Sequence, residues 1–359
     1  MTNPSLDPDN QRYPSLDSQR RWISSVFLPS LLPGIDIVAL GDVLDGGSSG
    51  IFSPKDRIDH SPLGVTSQFL DNPEDYHHVA EDGDHSEWLL KNAIERIACL
   101  PKNPLILDVG CGAGNTALGI LNIFDDAIVV AADVSHKLLH SLTTIADKHP
   151  RGRSVVPLCV DLNEPRFADE KFDMVVGRAI LHHLFDPENL ISNVYHSVKV
   201  GGSLIFFEPY ECGYSIFSGL IDLIIETSNR LPGLSDSVRR FLEGTLAEYQ
   251  TCEPKDPMKY AGIDDKWNFT RTYFETIADR LGAKLQVYAL YGSDSPFTDQ
   301  LIFRLKAGFG TDRDALPDWA WALVDRFEKR VSRNALDEMT CAVGVIFTKL
   351  QHQTNAQTG

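Results

Sequence analysis

No apolar run in this 359-residue chain approaches the roughly 20 residues that a membrane-spanning helix needs, so no membrane span is expected. The N-terminus, MTNPSLDPDNQRYPSLDSQRR, lacks the apolar stretch behind a basic start that marks a secretory signal, and a cytoplasmic protein is the expectation. Cysteine-pair motifs are missing as well. Cys99, Cys111, Cys159, Cys212, Cys252 and Cys341 are scattered and never form C-x-x-C, which argues against a disulfide framework and against a cysteine zinc site. Clusters of Lys and Arg are also absent. With 33 basic residues against 50 acidic ones and a formal net charge of −17, a nucleic acid would have to approach against the protein's own field, and none is expected as a partner. No internal repeat is found.

What the chain does have is the composition of a folded protein, 43% hydrophobic and 23% charged, at a length that suits one elaborated α/β domain or a core with additions. Residues 1–85 read as an N-terminal extension. Its first 19 or so residues are polar and Pro-rich, and a helical-looking RRWISSVFLPSLL and a short apolar IDIVAL follow. The acidic stretch EDYHHVAEDGDHSE, Glu74 to Glu87, reads as a solvated surface.

From Ser86 the pattern becomes regular, with Trp88, Leu89, Ile94 and Ile97 at helical spacing and Pro101 as the stop. Short apolar runs then alternate with helical segments: PLILDVG, AIVVAADV, SVVPLCVD, FDMVVGRA and GGSLIFFEP. Runs apolar on both faces and separated by helices predict a parallel sheet covered on both sides. Residues 211–263 interrupt the alternation with two helical-looking segments and form a candidate lid. A helix in NFTRTYFETIADRLG, a strand in KLQVYALYG, a helix around WAWALVDRFEKRV and a strand in CAVGVIFTKL complete the core to about residue 350. Residues 351–359 form a polar tail.

The segment LILDVGCGAGN, Leu105 to Asn115, carries the most chemistry: a buried strand runs into Gly110, Gly112 and Gly114 before a helix begins. Such glycines allow a tight turn and close approach of the backbone to a ligand. Dinucleotide-binding folds use G-x-G-x-x-G in the same place, but here position 115 is Asn115, and Asp108 would repel a pyrophosphate while attracting the cationic methionine end of S-adenosylmethionine. Asp133 ends the second apolar run, where a carboxylate can accept both ribose hydroxyls of either ligand. Asp161 ends the third, placed to accept an adenine amino group beside apolar neighbours such as Leu162.

Through DVGCGAG, Asp133, Asp161, FDMVVGRAILHHLFDP and GGSLIFFEP, in that order, the sequence resembles the class I S-adenosylmethionine-dependent methyltransferase family, well over residues 86–210 and more loosely to 350. The resemblance implies a doubly wound, mostly parallel seven-stranded sheet, a Rossmann-like α/β fold, with CAVGVIFTKL as its one antiparallel strand. It implies a cofactor site made of Asp108, Gly110, Cys111, Gly112, Gly114, Asp133, Val134, Asp161, Leu162 and Arg178, with Tyr76 folding over the ligand from the preceding segment. The activity implied is methyl transfer to an acceptor, here expected to be a small molecule with a hydrophobic portion if lid residues such as Ile216, Phe217, Leu220, Ile221 and Ile224 line its pocket; those residues could equally be the lid's own core.

For catalysis, His182 or His183 could act as general base, with His182 the first choice, and Glu208, at the end of the GGSLIFFEP run, could bind or deprotonate the acceptor. Packing or cofactor positioning is the alternative for either histidine, and a helix-capping carboxylate is the alternative for Glu208. Tyr76, His77 and His78 are otherwise exposed polar residues. His136 and His140 stand four apart, a metal-ligand spacing, but no carboxylate or thiol completes a set and no metal is expected. Trp267, Trp319 and Trp321 read as core anchors. Two other classes stay open: a protein that binds S-adenosylmethionine without transferring its methyl, and an NAD-dependent oxidoreductase. Whether the N-terminal extension makes a homodimer is also open.

Overall fold

The structure, a computed structural model, describes residues 16–42, 50–57, 83–164, 167–311 and 313–351. Nine strands form one sheet in the order β1-β2-β5-β4-β3-β6-β7-β9-β8. The strands are β1 (Ile37–Ala39), β2 (Phe52–Pro54), β3 (Leu105–Val109), β4 (Ile128–Asp133), β5 (Val155–Cys159), β6 (Phe172–Arg178), β7 (Val198–Pro209), β8 (Ala283–Ala289) and β9 (Ala342–Lys349). β5, β4, β3, β6 and β7 are parallel, and β9 runs antiparallel between β7 and β8. This is the expected doubly wound seven-stranded sheet with its single reversed strand. Two strands are added at one edge: β1 pairs antiparallel with β2, which joins β5 through Phe52 and Leu158. Nothing in IDIVAL or in the residues around Phe52 distinguishes a sheet extension from an isolated turn, which is why the two edge strands go unread in the sequence.

Every residue of β3 and of β4 is buried, because helices cover both faces and each alternate side chain meets one of them. Leu105, Leu107 and Val109 enter the apolar layer that also takes Phe27, Leu28 and Leu31 from the N-terminal helical segment, while Ile106, Val129 and Ala131 enter the opposite one. The helices are set by local chemistry: the Ser135 hydroxyl accepts from Leu138 N at the start of α3 (His136–Ala146), and Asp186 caps α4 (Pro187–Ser197) with Pro187 in its first turn. Before them come α1 (Gly83–Ile94) and α2 (Asn115–Ile123), which pack together beside the sheet.

The helices α5 (Glu211–Ser228) and α6 (Asp236–Ala247) lie in the segment read as a lid. After α7 (Arg271–Leu281), the connection from β8 to β9 carries α8 (Pro296–Phe309), α9 (Asp318–Glu328) and α10 (Arg333–Glu338). Phe217, Leu220, Ile221 and Ile224 of α5 are buried against Val238, Leu242 and residues of α8 and α9 such as Phe297 and Val324. The apolar side chains of α5 are therefore consumed in a helical core of their own, and the argument from them to a hydrophobic acceptor does not hold; Ile216 is only partly buried, packed on the same cluster. Trp267 is a core anchor, 5% exposed with its indole donating to Leu184 O, whereas Trp319 and Trp321 are half-buried and donate to Pro232 O and Arg313 O.

Glu328 holds this helical layer together. Its buried carboxylate accepts from Phe297 N, Thr298 N and Thr298 Oγ1, capping α8 from a neighbouring helix. Glu328→Ala would leave three buried donors unpaired, and a loss of about 3 kcal/mol of unfolding free energy in urea titration is expected.

Candidate active site

The site is assembled where the parallel strands end. Between β3 and α2 the backbone turns through Gly110, Gly112 and Gly114 at φ 68°, 51° and 94°, the left-handed region that side-chain-bearing residues avoid. Neighbours also forbid side chains: a Cβ at Gly110 would lie 2.6 Å from Ile180, and one at Gly114 would lie 2.0 Å from Leu142. The loop is tied to β4 by Gly110 N and Cys111 N, both donating to Ala132 O, and by Gly112 N, which donates to Asp133 Oδ2 at 2.8 Å. Asp133 Oδ1 accepts from Ser135 N at 2.8 Å. Asp133 thus clamps the glycine loop to the start of α3, and each of its oxygens retains lone-pair capacity for a ligand hydroxyl.

Asp108 is fully buried at the end of β3, and neither carboxylate oxygen closes a hydrogen bond, the Ala117 amide near it remaining outside bonding geometry. Burial, reinforced by the charge of Asp133, pushes its carboxyl up to about 8; the Ala117 amide and Arg178 offset this only in part. An unpartnered acid under a glycine loop is matched by a ligand that brings a cationic amino group. The donor set of Asp108, the loop and Asp133 fits the methionine and ribose portions of S-adenosylmethionine.

The remaining residues expected in the cofactor site divide. Asp161 Oδ1 accepts from both Asn163 N and Asn163 Nδ2, which fixes the turn after β5. Arg178, at the end of β6, donates to Ser86 Oγ at 2.6 Å and fastens α1 to the sheet edge. Cys111 is buried, its Sγ directed to Gly112 O; Val134 O accepts from Cys159 Sγ; Leu162 is packed in the core. Tyr76, His77 and His78 lie outside the described residues. His136 and His140 are exposed on α3 and join no cluster of metal-ligating side chains among the described residues.

A second group stands beside the first. After Arg178 the chain turns sharply at Ala179, φ 54°, and a short 3-10 turn carries Leu181, His182 and His183 across the strand ends. Glu208, whose side chain is fully buried, accepts from Ile180 N at 3.0 Å, Leu181 N at 2.9 Å and His182 Nδ1 at 2.6 Å. It caps the turn and fixes the imidazole's orientation, so the structure favours the capping and positioning role for Glu208 over proton transfer. The other imidazole nitrogen, His182 Nε2, lies 3.5 Å from Asp265 Oδ1. Burial lowers the His182 pKa, but the charges and hydrogen bonds of Glu208 and Asp265 outweigh it and raise the value to about 9. A value in that range makes the protonated imidazole, a hydrogen-bond donor, the form His182 takes at neutral pH. His183 is held down to about 3 by burial and by the neighbouring His182 charge.

Asp265 was invisible in the sequence. It belongs to the return segment after α6, which docks on the turn through Lys266 N donating to His182 O and on β7 through the bridge of Phe269 to Tyr210. No local spacing announces a contact between positions more than eighty residues apart. A cavity of about 310 Å³ lies elsewhere, lined by Arg96, Tyr288, Arg271, Arg333 and Glu338 among others. Its arginines are occupied, Arg271 by Glu338, Arg333 by Asp294 and Asp337, and Arg96 by the face of Tyr288.

Residues 107–206, from β3 to β7, match the family model described as a methyltransferase domain. Over these residues the chain is similar to methyltransferase domains. Over 166 residues it is 27% identical to malonyl-[acyl-carrier protein] O-methyltransferase of Halalkalibacterium halodurans, covering 44% of this chain and 61% of that protein. Ubiquinone biosynthesis O-methyltransferase of Coxiella burnetii is 30% identical over 107 residues, 29% of this chain and 43% of its own length. tRNA U34 carboxymethyltransferase of Hydrogenovibrio crunogenus is 25% identical over 208 residues, 56% and 60% respectively. The chain thus spans between 43% and 61% of the length of these three relatives. Among solved structures, phosphoethanolamine N-methyltransferase 2 of Haemonchus contortus aligns over 80% of this chain and 61% of that one, at 18% identity and a TM-score of 0.45, too distant to bear on chemistry.

Proposed function

We propose that this protein transfers a methyl group from S-adenosylmethionine to an oxygen of a small-molecule acceptor. The observation that carries the reading is the buried, unpartnered carboxylate of Asp108 beneath the glycine loop, one strand away from Asp133. The cofactor, when bound, supplies a sulfonium methyl that leaves by in-line displacement to an acceptor held about 3 Å away. Asp108 would hold the cationic amino end, Gly110 to Gly114 would let the backbone approach, and Asp133 would accept from the ribose hydroxyls. Asp161 and Leu162, at the next strand end, are the candidates for the adenine.

The acceptor would stand at the mouth of β6 and β7, where His182, fixed by Glu208, offers a donor that steadies an anionic oxygen. Two matched relatives are named as O-methyltransferases, which supports oxygen as the atom methylated. The net charge of −17 weighs against an RNA acceptor despite the tRNA-modifying relative. The same charge and the lack of a long apolar helix among the described residues are consistent with action in the cytoplasm.

The test is production of S-adenosylhomocysteine from S-adenosylmethionine in the presence of panels of carboxylic acids, phenols and total tRNA. Turnover with a hydroxyl- or carboxyl-bearing small molecule, and none with tRNA, is expected. Turnover with tRNA alone would overturn the acceptor class. Cofactor binding without turnover on any acceptor would favour a protein that binds S-adenosylmethionine and does not transfer its methyl.

A further inference from the structure

His182, His183 and Asp265 present three ligand-type atoms within 4.8 Å of one another, the one such His/Cys/Asp/Glu group among the described residues. The spacing is not that of a finished hydrogen-bond network. Asp265 Oδ1 stands 3.5 Å from His182 Nε2 and 3.6 Å from His183 Nδ1. A charge-assisted N–H···O bond closes to about 2.7–2.9 Å. Ligand atoms on a tetrahedral ion with bonds of about 2.0–2.1 Å stand about 3.3–3.4 Å apart, close to the two observed separations.

The surroundings are also those of a ligand set. His182 gives its Nδ1 to a buried carboxylate, Glu208, at 2.6 Å, the arrangement that orients a metal-binding imidazole and raises its basicity. The two rings are 4.0 Å apart and tilted by 47°. Asp264 O lies 3.0 Å from His183 Nδ1 and accepts its N–H hydrogen bond in the metal-free protein; the same oxygen is available as a further ligand once a metal displaces that hydrogen. Two cations oppose an ion here: Lys266, buried, with Nζ 3.4 Å from Asp264 O and 5.0 Å from the Phe185 ring centre, and Arg304 of α8, which acts on Asp265. Glu208 and Asp265 supply two carboxylates against them. The Asp265 side chain is 71% exposed, which gives an ion a route in and leaves open positions toward solvent.

We infer that His182 Nε2, His183 Nδ1 and the Asp265 carboxylate form a binding site for a divalent transition-metal ion of the zinc class. The site lies against the glycine loop through Ile180, whose side chain fills the space a Cβ at Gly110 would take. An ion there would replace the His182 Nε2 proton as the group facing the acceptor and would offer its open positions to an acceptor oxygen in place of that donor. The inference does not rest on the methyl-transfer reading, because binding is measured without cofactor or acceptor.

The experiment uses the full chain without an affinity tag, stripped with chelator, titrated with Zn²⁺ by calorimetry and with Co²⁺ by visible absorption. One equivalent bound with micromolar or tighter affinity and a tetrahedral Co²⁺ spectrum are expected. Asp265→Asn, a change of near-equal size at a side chain that is 71% exposed, is expected to weaken Zn²⁺ at least tenfold, and His183→Ala to abolish the Co²⁺ band. Glu208→Gln is expected to weaken Zn²⁺ by about 10–100-fold. A Cys99→Ser, Cys212→Ser double variant, which removes the exposed thiols, is expected to bind as the parent does. No binding by the parent, equal binding by Asp265→Asn, or loss of binding in the cysteine variant would overturn the site.

Discussion

Replacing Asp108 by asparagine is expected to raise the thermal midpoint of the ligand-free protein while weakening its affinity for S-adenosylmethionine by about 10–100-fold. Both effects come from one cause. The carboxylate is fully buried with both oxygens unpartnered, and its pKa is raised to about 8, first by burial and then by the charge of Asp133. A folded-state pKa raised above the unfolded value means stability that is fully present below about pH 4 and is lost as pH rises through about 8. The amide carries no such dependence. It still buries polar atoms without partners, so the net gain at pH 8 is about 2 kcal/mol rather than the full cost of the ionised acid, or roughly 3 °C for a chain of 359 residues. Calorimetric melts of both proteins from pH 4 to pH 9 check this: the two curves should run closest at pH 4, separate progressively up to about pH 8 and stay apart above it. The loss of affinity follows from removing a charge-assisted contact worth about 1.5–3 kcal/mol. A midpoint that falls at pH 8 would mean that Asp108 is satisfied in the free protein and that the cofactor is not what it waits for.

Truncating Glu208 is expected to do more damage than removing either histidine. Its carboxylate serves the amides of Ile180 and Leu181 as well as His182 Nδ1, with no exposure to solvent. Glu208→Ala strands these donors in the interior, and a loss of about 3–5 kcal/mol of stability is expected by urea titration. The proton on His182 should follow. With Glu208 gone, burial dominates, and the imidazole, raised to about 9 in the metal-free parent, is expected to titrate below its ordinary value. In the parent this histidine contributes stability that is fully present below about pH 6.5 and lost as pH rises through about 9, and the variant should lack that alkaline decline. Imidazole carbon-bound proton shifts followed against pH read the change directly. A His182 that still titrates near 9 in Glu208→Ala would assign its proton to Asp265 instead.

The parts of the fold that the sequence made legible are those in which a local pattern has one physical outcome. Wholly apolar runs such as LILDV and IVVAAD can only be buried strands when helices separate them, and three glycines after such a strand can only be a tight turn toward a ligand. The carboxylates at the strand ends were legible for the same reason, since Asp108, Asp133, Asp161 and Glu208 each close an apolar run. Their roles were less so. Asp133 was read as a ribose acceptor alone, yet its oxygens also hold Gly112 N and Ser135 N. The apolar face of α5 allows either a pocket wall or the lid's own core, and it is the core, packed on α6, α8 and α9; a helix pattern shows that a face is buried and not what buries it. Asp265 and the edge strands β1 and β2 depend on long-range docking, for which a single sequence carries no signal.

The most direct test of the central claim is calorimetric titration of the full chain with S-adenosylmethionine, S-adenosylhomocysteine and NADH, repeated on Asp108→Asn and Asp133→Ala. Micromolar binding of both adenosyl ligands, weakened in each variant, with no heat from NADH, is the predicted result. Binding of NADH alone, or adenosyl-ligand binding that both variants leave unchanged, would contradict the account.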